Sequence, residues 1–147
     1  MLEIKNKKDC TGCHACWAVC PRKCIQMKPD EEGFLYPEIQ LDQCIDCGAC
    51  EKVCPVLHPA DTCYPLEVYA ARNRDETVRM NSSSGGVFTA LAEEIIRRGG
   101  VVFGASFNED WQVVHSFTEQ SEGLAAFRGA KYVQSMIGDA YLQVRRF

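Results

Sequence analysis

No stretch of the 147-residue chain approaches the roughly 18 consecutive apolar residues that a membrane-spanning helix needs, because charges and prolines break every hydrophobic run. The segment Met1 to Lys8 alternates charge with single apolar side chains and lacks the apolar centre of a secretory signal. Clustered Lys and Arg are missing too: 16 basic residues face 20 acidic ones, for a net charge of −4. Phosphate backbones are gripped by such clusters, so nucleic acid is excluded as the main partner. A cytoplasmic chain with no membrane partner is the expectation. Cysteine is absent from residues 64–147, yet residues 1–63 hold all ten. With 46% hydrophobic and 24% charged residues the composition is that of a folded protein, and two physical regimes share it.

The cysteines fall into two quartets. Cys10, Cys13, Cys16, Cys20 and Pro21 read C-x-x-C-x-x-C-x-x-x-C-P, and Cys44, Cys47, Cys50, Cys54 and Pro55 repeat that spacing 34 residues later. Seven of the twelve positions 10–21 are identical to their counterparts, Ala15 with Ala49 and Val19 with Val53 among them, which marks an internal duplication. Three thiolates separated by two residues each can wrap one cubane from a single loop, and the fourth, stepping off before a proline, reaches the other cube. The expected ligand sets of two 4Fe-4S clusters are therefore Cys10, Cys13, Cys16 and Cys54, and Cys44, Cys47, Cys50 and Cys20. Disulfides would need an oxidising compartment. Structural zinc favours paired C-x-x-C hooks separated by longer stretches. Loaded with both clusters, residues 1–63 go from a charge of −3 to about −7.

Cys24 and Cys63 are left over. Cys24, four residues after Cys20, reads as a small apolar side chain packed over a cluster, with an alternative ligand or a reactive thiol as the other readings. Cys63 reads as an incidental thiol. His14 reads as a loop histidine with cluster tuning as its second reading, and His58 and His115 receive no role. Between the quartets, Ile25 to Met27 and Phe34 to Ile39 are expected to pair as a hairpin across the turn Pro29 to Gly33, its apolar side shielding the clusters. Short helical turns are expected at Trp17–Cys20 and Glu51–Cys54.

Beyond a proline-rich linker, Glu67–Arg72 reads as a strand and Arg74–Met80 as a turn or short helix. Asn81-Ser82-Ser83-Ser84-Gly85-Gly86 then precedes Val87, Phe88, Leu91, Ala92, Ile95 and Ile96 at helical spacing. This predicts an amphipathic helix of about fourteen residues, capped by Ser83 or Ser84 and stopped at Arg97-Arg98-Gly99. Strands at Val101–Phe107 and Gln112–Phe117 are expected to join through Asn108–Trp111. A helix over Ser121–Phe127, a short strand Tyr132–Gln134 and a helix from Asp139 to Arg146 complete the reading. The serine-glycine loop would present backbone N–H groups at the positive end of a helix, where a phosphate is stabilised. No lysine follows the glycines as in a P-loop, and the spaced G-x-G-x-x-G is missing. The donor-rich loop Arg128-Gly129-Ala130-Lys131 could close on the same anion.

The order of ferredoxin-like quartets, S-S-S-G-G-V-F-T-A-L-A, G-G-V-V-F-G-A-S-F and R-G-A-K-Y-V-Q-S resembles the coenzyme F-420 hydrogenase/dehydrogenase beta-subunit family from Cys10 to Phe147. The resemblance implies an iron-sulfur flavoprotein, with Ser83, Ser84, Gly85 and Gly86 against an FAD and Lys131 as a further flavin neighbour. Expected partners are a redox protein or subunit and a hydride carrier such as F-420. The implied class is α+β: a two-cluster ferredoxin-like domain over 1–58, a linker over 59–66, and a partial α/β flavin-binding-type domain over 67–147. Relatives of this kind continue further, so an incomplete flavin domain is expected. The other functional reading is a non-enzymatic relay or docking subunit without its own flavin site. No catalytic residue is assigned.

Overall fold

A computed structural model describes residues 2–61, 63–65 and 67–147, so Thr62 and Leu66 of the expected linker lie outside the described residues. The chain divides into two compact units, Met1–Cys63 with Ile137–Arg146, and Tyr64–Met136 with Phe147. No helix among the described residues is long and apolar enough to cross a membrane.

In the first unit, α1 (Ala15–Val19) and α2 (Ala49–Lys52) follow the second cysteine of each quartet. They begin two residues earlier than the sequence implies. The residue before each helix, His14 or Gly48, has φ of 60° or 69°, and Gly12 and Asp46, two positions earlier, also have positive φ. The duplication is thus written into the backbone. Each C-x-x-C-x-x-C loop turns twice through the left-handed region, which aims successive N–H groups toward one concavity. His14 makes that turn in a conformation L-residues disfavour, and it is buried.

Strands β1 (Ile25–Pro29) and β2 (Leu35–Ile39) pair antiparallel with Ile25 opposite Ile39 and Met27 opposite Pro37. Asp30 fixes the turn: its Oδ1 accepts from the N–H groups of Glu32 at 3.0 Å and Phe34 at 2.9 Å. Its Oδ2 takes Lys7 Nζ at 2.9 Å, and that ammonium also lies 4.1 Å from the Tyr36 ring centre, so the N-terminal segment is clasped to the hairpin. The buried core is Cys16, Cys24 and Ile25, flanked by Trp17, Cys20, Ile39, Cys44 and Cys50. A unit this small, with thiols at its centre, has little aliphatic burial to draw on. Helix α5 (Ala140–Val144) packs against α1, which assigns the last helix to the first unit and not, as the sequence suggests, to the second.

The second unit departs further from expectation. Residues 67–72 form no strand, because an extended segment becomes one only where a ladder partner exists, and none is present among the described residues. Helix α3 (Glu76–Met80) is capped by Asp75, whose carboxylate accepts from Thr77 N at 2.8 Å and Val78 N at 3.1 Å. Helix α4 spans Val87–Arg97, eleven residues, and starts at left-handed Gly86 without a side-chain cap, so neither Ser83 nor Ser84 caps it. Strands β3 (Val102–Phe107) and β4 (Val113–Thr118) form the expected hairpin, and Ser121–Phe127 is a 3-10 helix. The expected strand 132–134 is absent. Met136 instead makes a single parallel bridge to Val114, held beside it by His115 Nδ1 and Ser135 Oγ at 2.8 Å.

Only the small side chains of α4, Thr89 and Ala92, are buried, against β3 and the 3-10 helix around fully buried Leu124. Val87, Phe88, Leu91 and Ile95 are exposed, so the helix presents its narrow face to the core and not the broad apolar stripe its spacing implies. Replacing Asp75 by alanine is expected to cost the second unit about 1 kcal/mol, the usual worth of an N-cap, as a lower urea midpoint read by far-UV circular dichroism.

Candidate functional site

The first unit contains two thiol-lined cavities. One is ringed by Cys10, Cys13, Cys16 and Cys54 and closed by Leu2, Ile4, Met27, Pro37 and Val56. The other is ringed by Cys44, Cys47, Cys50 and Cys20, with Cys24, Ile25 and Ile39 behind them. Each cavity thus takes three cysteines from one repeat and the last from the other. The hairpin roofs both: the Met27–Pro37 pair closes the first cavity and the Ile25–Ile39 pair the second. Among the described residues no three Cys, His, Asp or Glu side chains converge tightly enough to hold one metal ion. Four cysteine thiols at each cavity are the donor set that a 4Fe-4S core takes.

Local electrostatics differ between the sulfurs. Burial pushes the Cys16 thiol up to about 11, with nearby Cys13 and Cys10 adding to it. Burial acts the same way on Cys20, but the N–H groups of Cys24, Arg22 and Lys23 and the Cys24 thiol outweigh it and hold Cys20 below its ordinary value. Such converging donors favour the thiolate, the form that binds metal. Cys24 is 3% exposed and its Sγ lies 3.5 Å from that of Cys20. Burial and the neighbouring Cys20 and Cys44 push its own thiol up to about 11. Cys63 is exposed and lines neither cavity.

In the second unit, an open cleft is lined by Ser82, Ser83, Ser84, Gly85, Gly86 and Phe88 on one side and Phe127, Arg128, Gly129 and Ala130 on the other. The serine-glycine and arginine-glycine loops, about 40 residues apart in sequence, therefore face one space. Gly85 is pressed against the backbone: its carbonyl accepts from Asn73 N at 2.6 Å, and a Cβ there would overlap the Ala71 carbonyl oxygen. Asn73 Nδ2 also donates to the Gly86 carbonyl at 3.3 Å, and Ser82 Oγ to Val78 O at 2.7 Å. Ser83 and Ser84, relieved of capping, line the mouth of the cleft. Arg128 Nε donates to Thr89 Oγ1 at 3.2 Å, which fixes the guanidinium beside the start of α4. Lys131 does not line the cleft. Its Nζ is spent on the carbonyls of Ala126 at 3.1 Å and Arg128 at 2.9 Å, and burial holds it below its ordinary pKa. The cation at the cleft is Arg128, to which the family resemblance gave no flavin contact.

Comparison with known proteins gives both units a context. Residues 9–57 match a model of the 4Fe-4S dicluster domain, and residues 68–141, half of the chain, match the coenzyme F420 hydrogenase/dehydrogenase beta subunit N-terminal model. A subunit of the F(420)H(2) dehydrogenase of Methanosarcina mazei is 26% identical over 93% of this chain and 42% of its own length. Ketoisovalerate oxidoreductase subunit VorC of Methanothermobacter marburgensis is 33% identical over 49% of this chain and 86% of its own length, and a ferredoxin of Mycolicibacterium smegmatis 38% identical over 57% and 71%. The chain thus spans less than half of the first of these relatives. The first unit is thus a 4Fe-4S dicluster domain, similar to that of ferredoxins. With that module preceding the matched 68–141 segment, the chain belongs to the coenzyme F420 hydrogenase/dehydrogenase beta-subunit family.

Proposed function

We propose that this chain passes electrons between two 4Fe-4S clusters and a flavin in an oxidoreductase. One cluster is held by Cys10, Cys13, Cys16 and Cys54, the other by Cys44, Cys47, Cys50 and Cys20, and an FAD lies in the cleft between Ser83–Gly86 and Arg128. The observation that carries the reading is the meeting of the serine-glycine and arginine loops around one cleft, in a chain whose other unit is a dicluster module. A bound flavin supplies the exchange between single electrons and the hydride chemistry of an organic partner such as a deazaflavin. The chain's own contribution is to hold and orient. The start of α4 and the serine hydroxyls offer donors to a pyrophosphate, and Arg128, anchored on buried Thr89, sets a fixed positive charge opposite. Lys131 acts here by bracing the loop that carries Arg128.

The test is anaerobic purification followed by iron, sulfide and flavin analysis, before and after incubation with FAD. Eight irons per chain with bound FAD are expected, and Arg128→Ala is expected to weaken FAD binding about tenfold or more, the worth of a charged hydrogen bond. Full cluster occupancy with no FAD taken up would overturn the flavin part and leave a relay subunit.

A further inference from the structure

The two halves of the first unit are duplicates, and the fourth position after each C-P cysteine breaks the symmetry: Cys24 follows Cys20, whereas His58 follows Cys54. The two places are built differently. Cys24 is buried at the wall of the second cavity, its Sγ 3.5 Å from Cys20 Sγ, and it also reaches Cys44. His58 is exposed and does not line the first cavity; its amide N–H goes to the Cys54 carbonyl at 2.9 Å. One cavity therefore carries a fifth thiol in hydrogen-bond contact with a ligand sulfur, and the other has no thiol in the equivalent place.

We infer that Cys24 is a positioning residue that sets the two clusters at different potentials by donating its S–H to the Cys20 thiolate. This rests on the ligand sets proposed above. When Cys20 binds iron it carries no proton, so the direction of the bond is fixed, with Cys24 as donor and Cys20 as acceptor. A donor on a ligand sulfur draws charge from the iron core and stabilises the reduced state more than the oxidised one, which raises the potential. The cluster held by Cys20 thereby takes the electron in preference to its twin, and an otherwise symmetric pair acquires a downhill direction. A thiol suits this place because it is small enough for the wall beside Ile25 and Ile39, and because a buried hydroxyl or amide would need further partners.

The test is an EPR-monitored redox titration of the full chain as wild type, Cys24→Ala and Cys24→Ser, with iron counted in each and Cys54→Ala prepared alongside to identify the clusters. The expected result is full iron in both Cys24 variants and a negative shift of one midpoint in Cys24→Ala. The other midpoint stays in place, and Cys24→Ser, which keeps a donor, lies nearer wild type. Two unchanged midpoints in Cys24→Ala would overturn the inference, as would an equal shift of both or the loss of one cluster's iron in both variants, which would make Cys24 itself a ligand. The cluster that moves should be the one that survives in Cys54→Ala. Cys20 and Cys54 serve different clusters, so a shift of the cluster that is lost in Cys54→Ala would mean that Cys24 does not act through Cys20 and would overturn the inference, whereas wild-type iron well below eight per chain would overturn the two-cluster reading it rests on.

Discussion

Replacing Cys54 by alanine is expected to remove the cluster of Cys10, Cys13 and Cys16 and to spare the one bound by Cys44, Cys47 and Cys50, the cysteines of its own repeat. The fourth thiol of the first cavity comes from the second quartet. Cys54 is buried, and its amide is anchored to Glu51 O at 3.0 Å at the end of α2, so no neighbouring thiol can slide into its place without dismantling that turn. A cubane with three thiolates leaves one iron open to solvent, and from that corner the whole core is expected to break down. The expected measurement is about half the wild-type iron and sulfide, with the EPR signal of a single reduced cluster. Loss of the cluster of Cys44, Cys47 and Cys50 alone would overturn the crossed ligand sets.

Gly85→Val is expected to abolish FAD uptake while leaving both clusters in place. A side chain at this position meets the Ala71 carbonyl oxygen, which is backbone and cannot rotate away. The loop must then lift, breaking the 2.6 Å bond from Asn73 and displacing the start of α4 together with Ser83 and Ser84. Overpacking of this kind costs about 1–3 kcal/mol, which leaves the second unit folded in part but its cleft reshaped. Flavin fluorescence released on denaturation, against iron content in the same sample, reads the result. Retention of stoichiometric FAD would place the flavin elsewhere.

The quartets were legible because metal chemistry dictates their spacing outright, and the Asp30 hairpin because its turn residues and alternation agree. Helix α4 was legible as a helix, but its start and its buried face were not. The serines compete with Gly86 for the capping place. Gly86 takes it because its left-handed turn lets Gly85 lie against Ala71, a contact between segments that no local pattern encodes. Likewise, E-V-Y-A-A-R has strand composition, yet a strand exists only beside a partner, and β3 and β4 pair with each other. Lys131 and Arg128 show the limit for sites. Both are cations in one loop, and only folding reveals that carbonyl oxygens absorb the first while the cleft receives the second.

The placement of Ile137–Arg146 in the first unit bears on how the protein is made. All ten cysteines leave the ribosome early, but the helix that packs against α1, with Tyr141 beside Cys13, is translated only after residues 64–136 of the second unit. Both thiol cavities are lined within residues 2–56, so their walls are complete in the chain long before that helix emerges, and what the helix adds is packing on α1.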